Sequence, residues 1–359
     1  MKIITVVGAR PQFIKAAVVS RAFAQYSNIQ ELIIHTGQHF DSQMSDIFFE
    51  EMQIPKPHIN LNINGLSHSA MTGQMLEGIE NILLQEKPDY MLVYGDTNST
   101  LAGALAAKKL CIPVIHVEAG LRSFEMKMPE EINRIITDRI SDILFCPTKI
   151  AYENLQREGF NNFPCKIVES GDVMFDAALF YAEHASKKSN IIKYLNINQP
   201  FILSTIHRAE NTDSIIRLEN IVNSLNEISL TCPIILPIHP RTKKIIQRSG
   251  LNMNFTVIEP VGYFDMIELL KHCKLVMTDS GGLQKEAYYF QKNCITLRDQ
   301  TEWKELVDNG YNICVGTNKE RILYAFHYML NTNNYFNTTL YGQGDAGNKI
   351  VDFLNNHAL

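Results

Sequence analysis

The chain has 359 residues, more than one hydrophobic core usually serves, so two domains are expected. A formal net charge of −5, with no dominant basic patch, argues against a nucleic-acid partner. The seven cysteines form no CxxC pair and no cluster with histidine, so we expect buried free thiols and no metal site.

The first half alternates short apolar runs with longer amphipathic segments, which is typical of a parallel sheet covered by helices. The predicted elements are strand 3–7, helix 11–24, strand 32–35, helix 70–84, strand 90–94, helix 99–110, strand 113–118, helix 130–140 and strand 143–146.

The pattern restarts after a polar stretch at 186–190. The predicted elements there are strand 201–206, strand 233–236, helix 266–271, strand 275–278, helix 283–290, strand 294–297 and strand 312–315, then a last helix at 346–355. We therefore predict an α/β fold of two Rossmann-like domains. Their expected bounds are 1–180 and 181–340, with a C-terminal helix in 341–359 that packs back on the first domain.

The N-terminus has one lysine before a five-residue apolar run, which is too short for a signal peptide. No segment approaches the 18 apolar residues of a membrane span. We therefore expect a cytoplasmic protein without a membrane partner.

Polar residues follow the predicted strands, where open α/β sheets bind their ligands. Gly8-Ala9-Arg10-Pro11 follows the first strand, with Lys15 one turn into the next helix. Arg10 and the helix N-terminus favour an anion such as phosphate. A solvated arginine at a loop edge is the simpler alternative.

Carboxylates follow the neighbouring strands. Asp96 and Glu118 end two strands of one parallel sheet, so we expect them to face the same crevice, and Glu130 and Glu131 begin the following helix. Clustered carboxylates can have separated pKa values, which acid–base catalysis requires. The alternative for Glu131 is a helix-start carboxylate that only caps the helix.

The second domain repeats this arrangement. His207 follows its first strand, and Ser280, Gly281 and Gly282 open a helix that carries Glu286. Glycines at a helix start let backbone N–H groups reach phosphate oxygens, and Glu286 is placed to accept from ribose hydroxyls. No GxGxxG or GxxxxGK[ST] motif occurs, so neither NAD nor a P-loop is indicated. Four histidines near strand ends have a simpler alternative as satisfied turn or core residues: His39, His116, His207 and His239.

Five motifs in order resemble the non-hydrolysing UDP-N-acetylglucosamine 2-epimerases, and the resemblance covers nearly the whole chain. They are Gly8–Pro11, Gly95-Asp96-Thr97, His116–Arg122, Pro129–Arg134 and Thr278–Glu286. The resemblance implies a glycosyltransferase-B fold, with the active site in a central cleft between two Rossmann-like domains. It also implies a homodimer that needs no cofactor and supplies precursors for cell-surface polysaccharide such as lipopolysaccharide or capsule.

The family inverts carbon 2 of a UDP-sugar by eliminating UDP and adding it back to the other face. By this resemblance, proton transfer is assigned to Asp96, Glu118 and Glu130, and Lys15 matches a residue that the family needs. The residues expected to hold UDP are Arg10, His207, Ser280, Gly281, Gly282 and Glu286, with His207 also near the reacting carbon.

Some positions depart from the family pattern. Many members have Thr and Glu at Ala9 and Gln12, and Phe40 replaces an arginine of members regulated by a second substrate molecule. In many members a Thr-Glu pair is followed by Arg-Pro, whereas in this chain it is followed by Trp303. These departures look closer to a subgroup that acts on UDP-2,3-diacetamido-2,3-dideoxyglucuronate, which we keep as an alternative substrate to UDP-N-acetylglucosamine.

Two further alternatives are a glycosyltransferase of the same fold and a nucleotide-sugar sensor without turnover. The glycosyltransferase would also bind UDP through the 280–286 region. Neither needs the carboxylate set of the first domain, so the isomerase is the preferred hypothesis.

Overall fold

The structure, a computed structural model, describes residues 1–38, 49, 53–332, 334–336 and 339–357. The chain forms two compact units, Met1–Ala177 with Thr339–Leu359, and Ala178–Thr338. Within the described residues, no helix has the length and apolar character needed to cross a bilayer.

The N-terminal unit contains a seven-stranded parallel sheet in the order β3-β2-β1-β4-β5-β6-β7. Its strands are β1 Lys2–Val7, β2 Gln30–His35, β3 Ile59–Asn60, β4 Tyr90–Tyr94, β5 Val114–Val117, β6 Ile143–Cys146 and β7 Lys166–Glu169. Its helices are α1 Arg10–Phe23, α2 His68–Glu86, α3 Asn98–Lys109, α4 Pro129–Ile140 and α5 Lys149–Arg157, with a 3₁₀ turn at Phe160–Asn162.

The C-terminal unit contains a six-stranded parallel sheet in the order β10-β9-β8-β11-β12-β13. Its strands are β8 Ile202–Thr205, β9 Ile234–Pro237, β10 Thr256–Ile258, β11 Leu275–Thr278, β12 Asn293–Thr296 and β13 Asn312–Cys314. Helix α6 Val173–Lys188 contains the division between the units. The helices that follow are α7 Ile191–Tyr194, α8 Ala209–Thr212, α9 Ile215–Ser229, α10 Pro240–Ser249, α11 Tyr263–His272, α12 Gly281–Tyr289, α13 Lys304–Asp308 and α14 Lys319–Asn331.

The last helix, α15 Ala346–Asn356, returns to the N-terminal unit and packs against α1. Asp176 accepts a hydrogen bond from the N–H of Gly347 at 2.9 Å, which holds the N-terminus of α15. Asn28 donates to Asn355 at 3.0 Å near the other end of the helix.

Each sheet has one point where the strand order reverses. It lies between β1 and β4 in the N-terminal unit and between β8 and β11 in the C-terminal unit. Loops on either side of such a point diverge and leave a crevice at the carboxyl ends of the strands, where ligands of α/β proteins bind. The residues predicted from sequence follow these strands.

The central strands agree with the sequence prediction because they are fully buried apolar runs: β4, β6 and β11 have the predicted bounds. The patterns used above do not predict β3, β7 and β10, which are short edge strands with only partly buried residues. The expectation of buried thiols is wrong for Cys111, which is exposed, although all seven thiols lie in the described part of the chain and are free.

Candidate active site

The turn between β1 and α1 is held by a side-chain amide. The backbone N–H groups of Gly8 and Ala9 donate to Gln12 Oε1 at 2.8 and 3.1 Å, and Gln12 Nε2 donates to the carbonyl oxygen of Tyr94 at 2.7 Å. An ionised glutamate has no hydrogen for that carbonyl, which accounts for the amide at this position. The turn places Arg10 at the start of α1, where the helix dipole favours an anion.

Glu118 follows β5 in a backbone conformation that is rare for a residue with a side chain. Its φ is +75°, where contact between Cβ and the carbonyl oxygen costs about 1–2 kcal/mol. Its carboxylate forms an ion pair with Lys15, and the two side chains are only 10% and 12% exposed. Backbone strain of this kind clusters at functional sites.

Gly95 gives the Lys15–Glu118 pair its space. A Cβ at this position would lie 3.0 Å from Glu118 Oε2 and 3.4 Å from Lys15 Nζ. Its φ of +62° also favours glycine. The loop after β4 is therefore built closely around the ion pair at the end of β5.

Asp96 follows Gly95 and forms an ion pair with Arg134 of α4. Asn133 donates to the carbonyl oxygen of Asp96 at 3.0 Å, so both the backbone and the carboxylate of this residue are held from α4. Burial alone would lower the pKa of Arg134, but Asp96, Glu131 and Glu118 raise it above its ordinary value. The guanidinium therefore stays charged close to three carboxylates.

The two glutamates at the start of α4 differ in their surroundings. Glu131 is buried and accepts from the N–H and hydroxyl of Ser123 at 2.9 and 2.8 Å and from the N–H of Phe124 at 2.9 Å. Its oxygens hold the loop before the helix and not the N–H groups of α4, which has no side-chain cap hydrogen bond, so Glu131 is a structural residue but does not cap the helix. Glu130 is exposed at the second position of α4, so its carboxylate is accessible to solvent.

In the C-terminal unit, Asp279 organises the loop after β8. Its buried carboxylate accepts from the N–H groups of His207 and Arg208 at 3.1 and 3.0 Å and from the Asn211 amide at 3.1 Å. The His207 side chain remains 45% exposed, with Nδ1 3.5 Å from Asp279. Burial lowers the pKa of His207, and the nearby charge of Arg208 adds to this, while Asp279 opposes it.

Ser280 caps α12, and its hydroxyl accepts from the N–H of Leu283 at 3.4 Å. A Cβ on Gly281 would lie 2.3 Å from Glu302 Oε1. At Gly282, which is exposed, no atom of the described residues lies within 4 Å of an added Cβ. The start of α12 therefore presents a bare backbone to solvent at Gly282, as a phosphate site requires.

Glu286 lies on the second turn of α12. Burial raises its pKa to about 7, and the charge of Lys285 and the hydroxyl of Tyr263 oppose the rise. Lys285 lies with its Nζ 4.2 Å from the centre of the Trp303 ring. Trp303 Nε1 donates to the carbonyl oxygen of Gly281 at 3.0 Å, so the residue that departs from the family pattern supports the start of this helix.

Sequence reasoning missed the buried residues that hold these loops. Asp279 lies within the Thr278–Glu286 motif, and its position directly after a buried strand is the signal that could have found it. Arg134 and Asp138 lie on α4, and nothing in the sequence indicates which loops they contact.

His239 lies close enough to His207 for its charge to contribute to the lowered pKa of that side chain. It also caps α10 by accepting from the N–H of Arg241 at 3.2 Å. His39 and Phe40 lie outside the described residues. Among those that are described, no group of three His, Cys, Asp or Glu side chains is arranged to hold a metal ion.

Two parallel sheets, each with polar loops at its switch point, are typical of α/β proteins that bind ligands such as nucleotides at the carboxyl ends of their strands. A model of the UDP-N-acetylglucosamine 2-epimerase family matches residues 21–355. The chain belongs to this family and is an isomerase, which confirms the resemblance and the enzyme class predicted from sequence.

Relatives match over nearly the whole chain. The UDP-2,3-diacetamido-2,3-dideoxy-D-glucuronate 2-epimerase of Pseudomonas aeruginosa is 54% identical, covering 99% of both chains. The UDP-N-acetylglucosamine 2-epimerase of Methanocaldococcus jannaschii is 47% identical with the same coverage.

Solved structures confirm the predicted fold class. The Methanocaldococcus jannaschii UDP-GlcNAc 2-epimerase in complex with UDP-GlcNAc and UDP has a TM-score of 0.88 and 46% identity, over 99% of this chain and 100% of that one. The Neisseria meningitidis enzyme bound to UDP-GlcNAc also has a TM-score of 0.88, at 32% identity and the same coverage.

Proposed function

We propose that this chain inverts carbon 2 of a UDP-linked 2-acetamido sugar by eliminating UDP and adding it back. The observation that carries the proposal is the pair of strand-end carboxylates, Glu118 and Asp96, each held by a partly buried cation beside the switch point of one sheet. Membership of the epimerase family supports it.

In the first half of the reaction, a carboxylate takes the proton from carbon 2 while the bond from carbon 1 to the UDP oxygen breaks. The electron pair of the C–H bond becomes a double bond between carbons 1 and 2, and UDP leaves with the electrons of the C–O bond. In the second half, a proton returns to the opposite face and UDP adds back to carbon 1. We assign the proton transfers to Glu118, Asp96 and Glu130, with Lys15 paired to Glu118.

We assign the nucleotide to the start of α12 and its surroundings. The backbone N–H groups of Gly281 and Gly282 suit the diphosphate, and Glu286 suits the ribose hydroxyls. The N–H of Ser280 donates to Thr278 Oγ1 at 2.9 Å, so we assign Ser280 to the diphosphate through its hydroxyl. Arg10 and His207 supply further donors to the leaving diphosphate.

UDP-N-acetylglucosamine is the first candidate substrate, with UDP-N-acetylmannosamine as its product. A specific observation favours a second candidate, UDP-2,3-diacetamido-2,3-dideoxyglucuronate: the Pseudomonas relative named for this sugar shares 54% identity. The two sugars undergo the same inversion, so the same residues serve both.

Incubation with each sugar in heavy water, without acceptor or added metal, tests the proposal. We expect deuterium at carbon 2 and a manno product from at least one of the two. Exchange with one sugar alone identifies the substrate. Inertness with both, by a folded protein that binds UDP, would exclude the epimerase and favour the glycosyltransferase or sensor alternative.

We also propose a cytoplasmic homodimer that makes precursors for cell-surface polysaccharide. Free thiols support a reducing compartment, since secreted proteins tend to oxidise theirs. Light scattering after gel filtration tests the dimer, and cell fractionation tests the compartment.

A further inference from the structure

A buried ionic network lies beneath the carboxylate loops of the N-terminal unit. Asp138, on α4, is completely buried and is the common acceptor of the network. It accepts from His116 Nδ1 at 2.7 Å, from the N–H of Gly120 at 3.1 Å and from Arg122 Nη1 at 2.6 Å. Arg122 is held in turn by both oxygens of Glu158, at 2.7 and 2.8 Å.

His116 joins Asp138 to the loop after β4 through its two ring nitrogens. Its Nε2 lies 2.8 Å from the carbonyl oxygen of Gly95, which can only accept, so Nε2 must donate. Its Nδ1 faces Asp138. Burial would raise the pKa of Asp138, but the hydrogen bonds and charges of His116 and Arg122 outweigh burial and lower it. Asp138 is therefore ionised, and its carboxylate holds both His116 and Arg122.

The network reaches the backbone on both sides of Glu118 and next to Asp96. His116 precedes Glu118 by two residues, and Gly120 follows it by two. The carbonyl held by His116 belongs to Gly95, the residue before Asp96 and the glycine that makes room for the Lys15–Glu118 pair. One carboxylate on α4 thus fixes both loops that carry the candidate proton-transfer groups.

These backbone anchors matter most at Glu118, whose φ is +75°. A residue with a side chain keeps this strained conformation only when the surrounding structure holds it there. Its own N–H donates to the carbonyl oxygen of Phe145 at 3.1 Å, and the anchors at 116 and 120 flank it.

We infer that Asp138 and His116 are positioning residues for proton transfer at carbon 2. They set the positions of Glu118 and Asp96 through the backbone without touching the substrate. This inference rests on the proposed function, since it requires those carboxylates to move the proton. It differs from a purely structural role, which would change stability and leave the rate of a folded, UDP-bound enzyme unchanged.

The test compares Asp138→Asn with Glu158→Gln. The first removes the charge that holds His116, and the second changes only the outer partner of Arg122. We expect Asp138→Asn to lower kcat for deuterium exchange at carbon 2 about 100-fold, since small misplacements of reacting groups cost this much. We expect UDP affinity, measured by calorimetry, to stay within twofold of the wild type. Glu158→Gln should keep kcat within about twofold.

If Asp138→Asn does not fold, a second pair of variants tests whether His116 positions the loop after β4. His116→Gln keeps a donor for the Gly95 carbonyl, whereas His116→Met has similar length and no donor. We expect the Gln variant to retain at least tenfold more exchange activity than the Met variant. Equal activity in that pair, or wild-type kcat in a folded Asp138→Asn, would refute the inference. A wild-type enzyme that is inert with both sugars would instead refute the proposed function.

Discussion

The strand-end loops of the two units are held in different ways. In the N-terminal unit, charged side chains hold one another: Lys15 pairs with Glu118, Arg134 with Asp96, and Arg122 with Asp138. In the C-terminal unit, one buried carboxylate, Asp279, collects backbone N–H groups and leaves the start of α12 open. The contrast matches two tasks, because proton transfer needs side chains fixed in place and diphosphate binding needs accessible backbone donors.

This comparison predicts two kinds of sensitivity. Substitutions that remove a charge in the N-terminal loops without changing the side-chain shape should lower the rate of proton transfer and leave UDP affinity unchanged. Substitutions that cover the backbone at the start of α12 should lower UDP affinity without destabilising the fold. The variants below are chosen to separate the two.

The largest effect is expected for Glu118→Gln, which keeps the shape and removes the basic oxygen. General acid–base catalysis contributes about 10²–10⁴-fold, so we expect deuterium exchange at carbon 2 to fall about 1,000-fold. UDP affinity should be unchanged, because the assigned nucleotide residues lie mostly in the other unit. Exchange is followed by NMR in heavy water and UDP binding by calorimetry.

Glu131→Gln is the matched control for Glu118→Gln. Glu131 is also a buried carboxylate of the N-terminal unit, but its oxygens hold the backbone of the loop before α4. We expect it to lower the thermal midpoint more than Glu118→Gln does and to lower exchange much less. Near-normal exchange in Glu118→Gln would refute the role assigned to Glu118.

Gly282→Ala tests the open backbone of α12. Alanine favours a helix over glycine by up to about 1 kcal/mol, so the variant should be slightly more stable. Its methyl group occupies the space in which a phosphate would approach, and we expect UDP to bind at least tenfold more weakly. Higher stability together with lower affinity is a combination that a purely structural glycine does not give.

Gly73→Ala supplies the control for that measurement. Gly73 is exposed within α2, and again no described atom lies within 4 Å of an added Cβ. We expect the same small gain in the thermal midpoint with no change in UDP affinity. If both glycine variants bind UDP as the wild type does, the diphosphate does not lie at the start of α12.

The sequence predicted where the candidate site residues lie better than what holds them. Asp96 and Glu118 could be placed because parallel strands that are buried on both faces read as continuous apolar runs, and the residues after them share one edge. The bounds of β4, 90–94, follow directly from such a run. A short edge strand such as β7 lacks this signal because its residues are only partly buried.

The supporting contacts depend on tertiary packing that local patterns do not encode. Asp138 meets His116 across 22 residues, and Arg134 meets Asp96 across 38. Helical periodicity shows which residues share a face, but not which loop the face contacts. Adjacent glutamates at a helix start are also alike in sequence, and only the hydrogen bonds of Glu131 separate it from Glu130.

The next largest expected effect is a pH dependence of UDP binding, which we assign to Glu286. Its pKa in the folded protein is raised from 4.5 to about 7, so the folded state holds a proton there that the unfolded chain has released. The protonated group therefore adds stability below about pH 4.5, and this contribution is lost as the pH rises to about 7. Ribose hydroxyls donate to the ionised form, so binding must release that proton at lower pH.

We accordingly expect UDP affinity to fall by up to about tenfold per pH unit below 7 and to be flat above it. Calorimetric titrations between pH 5.5 and 8.5 measure this slope. Glu286→Gln should bind more weakly at pH 8 and show a smaller slope below 7. A variant with the wild-type slope would assign the pH dependence to another group.

The smallest effect is expected for Trp303→Phe, which removes one neutral hydrogen bond to the Gly281 carbonyl while keeping an aromatic ring beside Lys285. Such a bond contributes about 1 kcal/mol, so UDP affinity should fall about fivefold with little change in kcat. Tyr311→Phe is the control, because it removes an aromatic donor to the Tyr335 carbonyl, 2.8 Å away in the same unit. Unchanged affinity in Trp303→Phe would show that the start of α12 keeps its position without the indole. A loss well above tenfold would place Trp303 against the nucleotide itself, and the C-terminal loops would then depend on side chains as the N-terminal loops do.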